Sequence, residues 1–388
     1  MKRTVWLLFC CQALMSAVTL VQAATGALIG HSLAADKALA TLPAAIGMVA
    51  AMAASVVAAA VFERFGRRAG FLLGAAGSTA GCLVFAAALW RVDFALYCLG
   101  AVPAGLGFGI MQHLRFAAAE AADLSVRTRA VALVIAGGVV GAFAGPELVR
   151  HTAALFAPAL FLGTYLFLAA LPAAAALLLA FADLPPAARR ASPPTPLRAI
   201  VARPAFMCAA VVGMAAHGAM SLVMASTPVQ MMLCGFGVGD STSVIRAHAV
   251  AMFAPGFFTG LLIERCGAAR VVCAGGLLCF GCVALSLHGG AYPSFLAALV
   301  LLGLGWNLMF TGATALLAGA HGAAERVRAQ AANDVLVSGT VACTAFGSGV
   351  LQSSAGWLVL NLAVVPLVLA GLCGASWRRV GRARPAMA

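Results

Sequence analysis

Glu63-Arg64-Phe65-Gly66-Arg67-Arg68 closes a long apolar run, and Glu264-Arg265-Cys266-Gly267 closes another, with Glu264 following Glu63 by 201 positions. Each stretch ends the second apolar run of its half of the chain. Glu-Arg-x-Gly therefore marks an internal repeat, the sequence signature of an architecture built twice. Working outward from these stretches, runs of about 20 mostly apolar residues have the length that crosses a bilayer. They fall at 5–28, 39–62, 70–90, 94–114, 129–148, 156–181, 205–230, 242–263, 270–290, 293–317, 329–350 and 355–376. Strands are excluded, because lipid demands an internally satisfied backbone and the runs lack the period-2 alternation of a barrel. The expected fold class is an all-α polytopic membrane protein of twelve transmembrane helices.

Composition agrees. Of 388 residues, 63% are hydrophobic and 9% charged, where soluble domains carry about 25% charged residues. Mean hydropathy is +1.04. Such a chain cannot cover a water-facing surface, which excludes a soluble enzyme, a disordered scaffold and, despite a net charge of +13, a nucleic-acid partner. The 12 cysteines are scattered through apolar runs, where a free Cys behaves as a small hydrophobe. Cys279-Phe-Gly-Cys282 has metal-ligand spacing, but no second pair or flanking His completes the four ligands of a structural zinc site. No metal and no cofactor are expected.

The basic residues set the orientation. Of 24 Lys and Arg, only Lys37, Arg91, Arg150 and Arg246 fall on one side; the other twenty share the side that holds the N-terminus. The positive-inside rule makes that side cytoplasmic and places both termini there. Lys2-Arg3, the first apolar run and Val21-Gln22-Ala23 imitate a secretory signal. The run continues to about Ile29, and removing it leaves an odd number of spans, so an uncleaved first span is expected.

The longest polar break, 182–204, contains Pro185, Pro186, Pro193, Pro194 and Pro196, through which no helix runs. It divides the chain into an N-terminal six-helix bundle (1–181), a cytoplasmic linker (182–204), a C-terminal six-helix bundle (205–376) and a basic tail (377–388). Here the chain resembles the major facilitator superfamily, whose loop between spans 2 and 3 carries G-x-L-a-D-R-x-G-R-[RK]. Glu63 stands where that pattern has Asp; Arg64, Gly66, Arg67 and Arg68 match; Ala59 replaces the leading Gly. The second copy keeps Gly260, Leu262, Glu264, Arg265 and Gly267, with Ala268-Ala269 in place of the basic pair. The resemblance implies two pseudo-symmetric bundles and a cytoplasmic latch between the loop motif and span 11. The residues themselves also admit ordinary positive-inside anchoring. Gly305–Phe310, Ala331–Asp334 and His248–Pro255 resemble a bacterial subgroup that points to no particular substrate.

Ionisable groups inside spans cost about 2.5–3.5 kcal/mol at the helix centre, which singles out Asp334 near the start of span 11. Three readings stand: a protonatable coupling group, an inter-bundle partner for Arg67 or Arg68, or an acid favoured in the first turns of a helix. His217, near the middle of span 7, is a satisfied interior histidine or a proton relay. Arg246 and His248, near the outer end of span 8, stand two residues apart and so point to different faces. Trp306 and Asn307 fall near the midplane of span 10, where transporters of this type bind solute. With Gln22 they are candidate substrate contacts; Gln22, Asn307 and Asn361 serve equally as polar glue between helices.

The leading expectation is secondary active transport of a small solute across the bacterial inner membrane by a monomer working through alternating access, with proton coupling and direction left open. One alternative is a drug or metabolite efflux antiporter. Gly141-x-x-x-Gly145-Pro146 resembles the start of an exporter motif, but Glu147-Leu148 follow where that motif has glycines, and Ala101 stands where those families place a basic residue. Another is a transporter-like receptor without turnover. Gly-x-Ser-x-Gly and His-Glu-x-x-His are missing, which argues against an intramembrane hydrolase.

Overall fold

The computed structural model describes residues 3–123, 127–184, 196–321 and 325–382, with backbone only for 55, 59, 63, 119, 127–129, 131, 132, 257, 326, 327 and 377–382. Among the described residues eleven helices are long and apolar enough to cross a membrane, and a bent pair makes a twelfth span. Spans 1–6 are Arg3–Leu33, Lys37–Ala58, Arg64–Arg91, Phe94–Ala118, Leu133–Thr152 and Leu162–Ala180. Spans 7–12 are Pro204–Leu233, Val238–Phe253 with Phe258–Cys266, Ala268–Leu287, Tyr292–Ala318, Arg328–Ser354 and Gly356–Ser376. The end carrying Gly66 and Gly267 is here the basic face, and the opposite end the far face.

The repeat is visible in the backbone. Gly66 has φ 79° and ψ 160°, and Gly267 has φ 84° and ψ 145°. That region is open essentially to glycine alone. A Cβ at either position would meet nothing within 4 Å, so the requirement is the turn and not close helix approach. The turn breaks one continuous run, Leu42–Arg91, into spans 2 and 3.

The start of span 6 and the course of span 8 also differ from expectation. Span 6 begins at Leu162 rather than 156, because the segment from Ala153 to Phe161 forms successive turns before Phe161, at φ 66°, starts the helix. Span 8 bends by 48° between Phe253 and Phe258. Pro255 lies in the break and has no N–H to give the carbonyl one turn back.

Apolar side chains cover every helix face, since one side meets protein and the other lipid. The largest buried cluster joins spans 7–12 around Val212, Leu302 and Met309. Two others fill spans 1–6, around Tyr97 and Tyr165 toward the far face and around Leu8, Phe71 and Leu114 toward the basic face. Glycines let backbones meet: a Cβ on Gly105 would lie 2.1 Å from the Gly47 carbonyl oxygen. Gly141 and Gly145 pack on Ser16 and Ala17 of span 1 in the same way, so the glycines of span 5 serve packing within the first six spans.

Candidate functional site

Spans 1, 2 and 5 meet spans 7, 8 and 11 along the boundary between the two sets of six. At the far face Thr41 Oγ1 donates to the Phe346 carbonyl at 3.3 Å and accepts from the Gly349 amide at 3.1 Å. Leu20 and Ala142 pack on Ala249 in a small buried cluster of their own. Beside it, Arg246 donates to Glu147 at 2.6 Å, joining span 8 to span 5. Nearer the middle, a Cβ on Gly138 would touch the Phe253 ring at 3.6 Å, and one on Gly339 the Met52 sulfur at 3.8 Å. These contacts join the two sets of six from the far face to the middle of the boundary.

The loop motif turns inward to its own half. Arg67 pairs with Glu120 at the end of span 4, with its guanidinium 5.3 Å from the Phe62 ring centroid. Arg68 donates to the Ala182 carbonyl at 2.6 Å and lies 3.9 Å from Asp183. Arg64 is exposed over Phe65. The Glu63 side chain lies outside the described residues. Arg67 and Arg68 therefore do not hold Asp334, correcting that reading: Glu120 and the end of span 6 lie within their reach. Glu264 and Arg265 are exposed on the basic face. Arg115 lies at the basic end of span 4, half-buried. Its buried Nε has no hydrogen-bond partner, and its guanidinium sits 4.9 Å from the Phe116 ring.

Asp334 is half-buried, about 9 Å along span 11 from Arg328 at 1.5 Å per residue. His217 lies on span 7, with Nδ1 3.2 Å from the Gly213 carbonyl. Its ring stands edge-on to Trp306 at 5.1 Å and to Phe310 at 4.7 Å, while Trp306 and Phe310 stack at 4.9 Å. The Trp306 Nε1–H is buried and unpartnered. Three rings from two helices thus form one aromatic group in the middle of the last six spans.

Asn307 is already engaged. It donates to the Met252 carbonyl at 2.8 Å and accepts from Thr259 at 2.6 Å, both on span 8. Gln22 is half-buried on span 1, and Asn361 donates to the Trp357 carbonyl within its own helix. Arg246 and His248 diverge as their spacing requires: His248 Nδ1 lies 2.8 Å from the Leu299 carbonyl, in its own half. Sequence reasoning passed over Glu120 and Glu147 as ion-pair partners. Glu147 carried a signal, an acid following Gly145-Pro146 toward the end of an apolar run.

A ring of helices in two sets of six, with a glycine break repeated in each, is matched by a family model. The Major Facilitator Superfamily model covers residues 5–338. The chain belongs to this superfamily. It is a multi-pass membrane protein of a family of transporters and not an enzyme. It is 35% identical over 373 residues to the riboflavin transporter RfnT of Brucella anthropi, spanning 95% of this chain and 93% of that protein. An uncharacterized MFS-type transporter of Bacillus subtilis, YddS, is 29% identical over 373 residues, 89% of this chain and 84% of the relative. The crystal structure of the human organic anion transporter MFSD10 superposes with a TM-score of 0.72 at 14% identity, over 96% of this chain and 99% of that one, a likeness of fold.

Proposed function

We propose that this superfamily member is a secondary active transporter of riboflavin or a closely related flavin. The observation that carries the reading is the 35% identity to a riboflavin transporter across 95% of the chain. The site chemistry supports it. An isoalloxazine is planar, uncharged at neutral pH and polar at its edges, and such rings stack on aromatic side chains. Trp306, Phe310 and His217 offer such surfaces, with an unpartnered indole N–H beside them. Among the described residues no dense cluster of charges at the centre demands an ionic solute.

In this reading the bundles 1–181 and 205–376 rock about the central boundary, joined by the linker 182–204 and followed by the tail 377–388. The basic face is cytoplasmic and the membrane is the bacterial inner membrane, on the strength of the Lys and Arg asymmetry. Asp334, an acid within span 11, is the group we assign to proton coupling in this reading.

Purified protein in liposomes tests the reading by flavin fluorescence and radiolabelled riboflavin flux, with and without an imposed pH gradient. Saturable movement that unlabelled riboflavin suppresses is expected. No riboflavin flux under any gradient overturns it, and binding without flux returns the protein to the receptor alternative.

A further inference from the structure

A cavity of about 330 Å³ lies between the far-face ends of spans 1, 3 and 7, the start of span 8 and the turns that precede span 6. Its walls come from both sets of six, Leu33 and Phe161 from the first, Met232 and Phe236 from the second. Every side chain that lines it is apolar except those of Ser32 and Ser241. Ser32 already donates to the Ile29 carbonyl at 2.8 Å. Ser241 is 2% exposed, and its hydroxyl has no hydrogen-bond partner among the described residues.

Lining and hydroxyl together define what fits. Water is a poor occupant, since an ordered molecule needs two to four polar partners. A flat heteroaromatic solute would strand the donors and acceptors on its edge. A molecule apolar along its length, with one acceptor, meets the walls and gives the Ser241 hydroxyl the bond that its burial demands. The surroundings supply such a molecule. The cavity lies where spans end, at the level of Trp90, which is largely exposed in the manner of interfacial tryptophans. Val92 and Leu160, which line it, are more than half exposed, so it is open to the bilayer at the depth of the polar headgroup region, where glycerol esters lie. Arg91, adjoining Val92, is exposed and suits a phosphate. We propose that the cavity holds one acyl chain of a membrane phospholipid, with an ester carbonyl accepting from Ser241 and the phosphate beside Arg91. The site is separate from the Trp306, Phe310 and His217 rings and does not depend on which solute is moved.

Native mass spectrometry of the delipidated full chain tests it, by titration with a diacyl phosphatidylglycerol and with its dialkyl ether analogue, which lacks the ester carbonyls. The unaltered protein is expected to hold the diacyl lipid about threefold more tightly, the worth of one neutral hydrogen bond. Ser241→Ala should remove that preference by weakening the diacyl lipid alone, a change that general loosening does not produce. In liposomes, a diazirine on the acyl chain of the same lipid should label Leu33, Met232 or Phe236 above Leu277, which is exposed on span 9. Ala159→Trp, which fills the cavity, should abolish the excess and leave labelling at Leu277 unchanged. Equal retention of the two lipids, a preference that survives in Ser241→Ala, or labelling no stronger in the cavity than at Leu277 overturns the proposal. Displacement of the label by riboflavin also overturns it and makes the cavity part of the solute path.

Discussion

Asn307 on span 10 donates to the Met252 carbonyl at 2.8 Å and accepts from Thr259 at 2.6 Å, so one side chain bridges the break in span 8. Met252 precedes the bend and Thr259 follows it. Its NH2 takes up the Met252 carbonyl, which the interrupted helix leaves without an amide partner, and its oxygen meets the Thr259 hydroxyl. Asn307→Ala strands buried polar groups on span 8, a loss of about 1–3 kcal/mol. The expected outcome is a lower melting temperature in detergent with solute affinity retained by the folded fraction. Normal melting with lost affinity would instead return Asn307 to the substrate site.

Gly66 and Gly267 share a backbone conformation that side chains resist, with open space around each. Gly66→Ala and Gly267→Ala are expected to cost about 1–3 kcal/mol each through strain alone. Thermal melting checks this, and the two losses should be of similar size. A loss at Gly66 only would mean that the second copy has relaxed.

Arg203 caps span 7 and grips Glu325 at the head of span 11 with two nitrogens, at 2.5 and 2.8 Å. His321 lies against this pair, 3.2 Å from Arg203. Burial first and the Arg203 charge second push its pKa below the usual 6.5, although Glu325 opposes them. The unfolded chain then binds a proton just below pH 6.5 that the folded chain refuses, so stability falls as pH drops through 6.5. Melting between pH 7.5 and 5.5 should decline more steeply for the unaltered protein than for His321→Gln.

Arg67 holds Glu120 rather than Asp334. A double-mutant cycle on thermal stability is expected to give a coupling of about 1 kcal/mol between Arg67 and Glu120, and close to zero between Arg67 and Asp334. Strong coupling to Asp334 would reinstate the latch that the loop motif's resemblance implies.

Much of the architecture was legible because lipid leaves a chain few options. Span length, the break after Glu63 and its echo after Glu264 follow from hydrophobic thickness and from the conformational freedom of glycine, which are local properties. The bend in span 8 had a local cause as well, in Pro255, yet its 48° angle depends on what packs behind it. The candidate residues divided differently. That Arg246 and His248 diverge is helix geometry, readable two residues apart. That Asn307 braces span 8 is a contact between positions 48 and 55 residues apart, which no local pattern encodes.

The sequence by itself determined the membrane class, the spans, the repeat and the charge asymmetry, because each is a property of short windows or of their order. Only the tertiary structure decided partners. Arg67 found Glu120, Arg203 gripped Glu325, and Glu147 met Arg246. Which charge answers which depends on how packed helices are rotated and shifted. In an apolar chain that rotation is set by the fit of glycines and side chains summed over many contacts, so it is fixed only when the helices assemble.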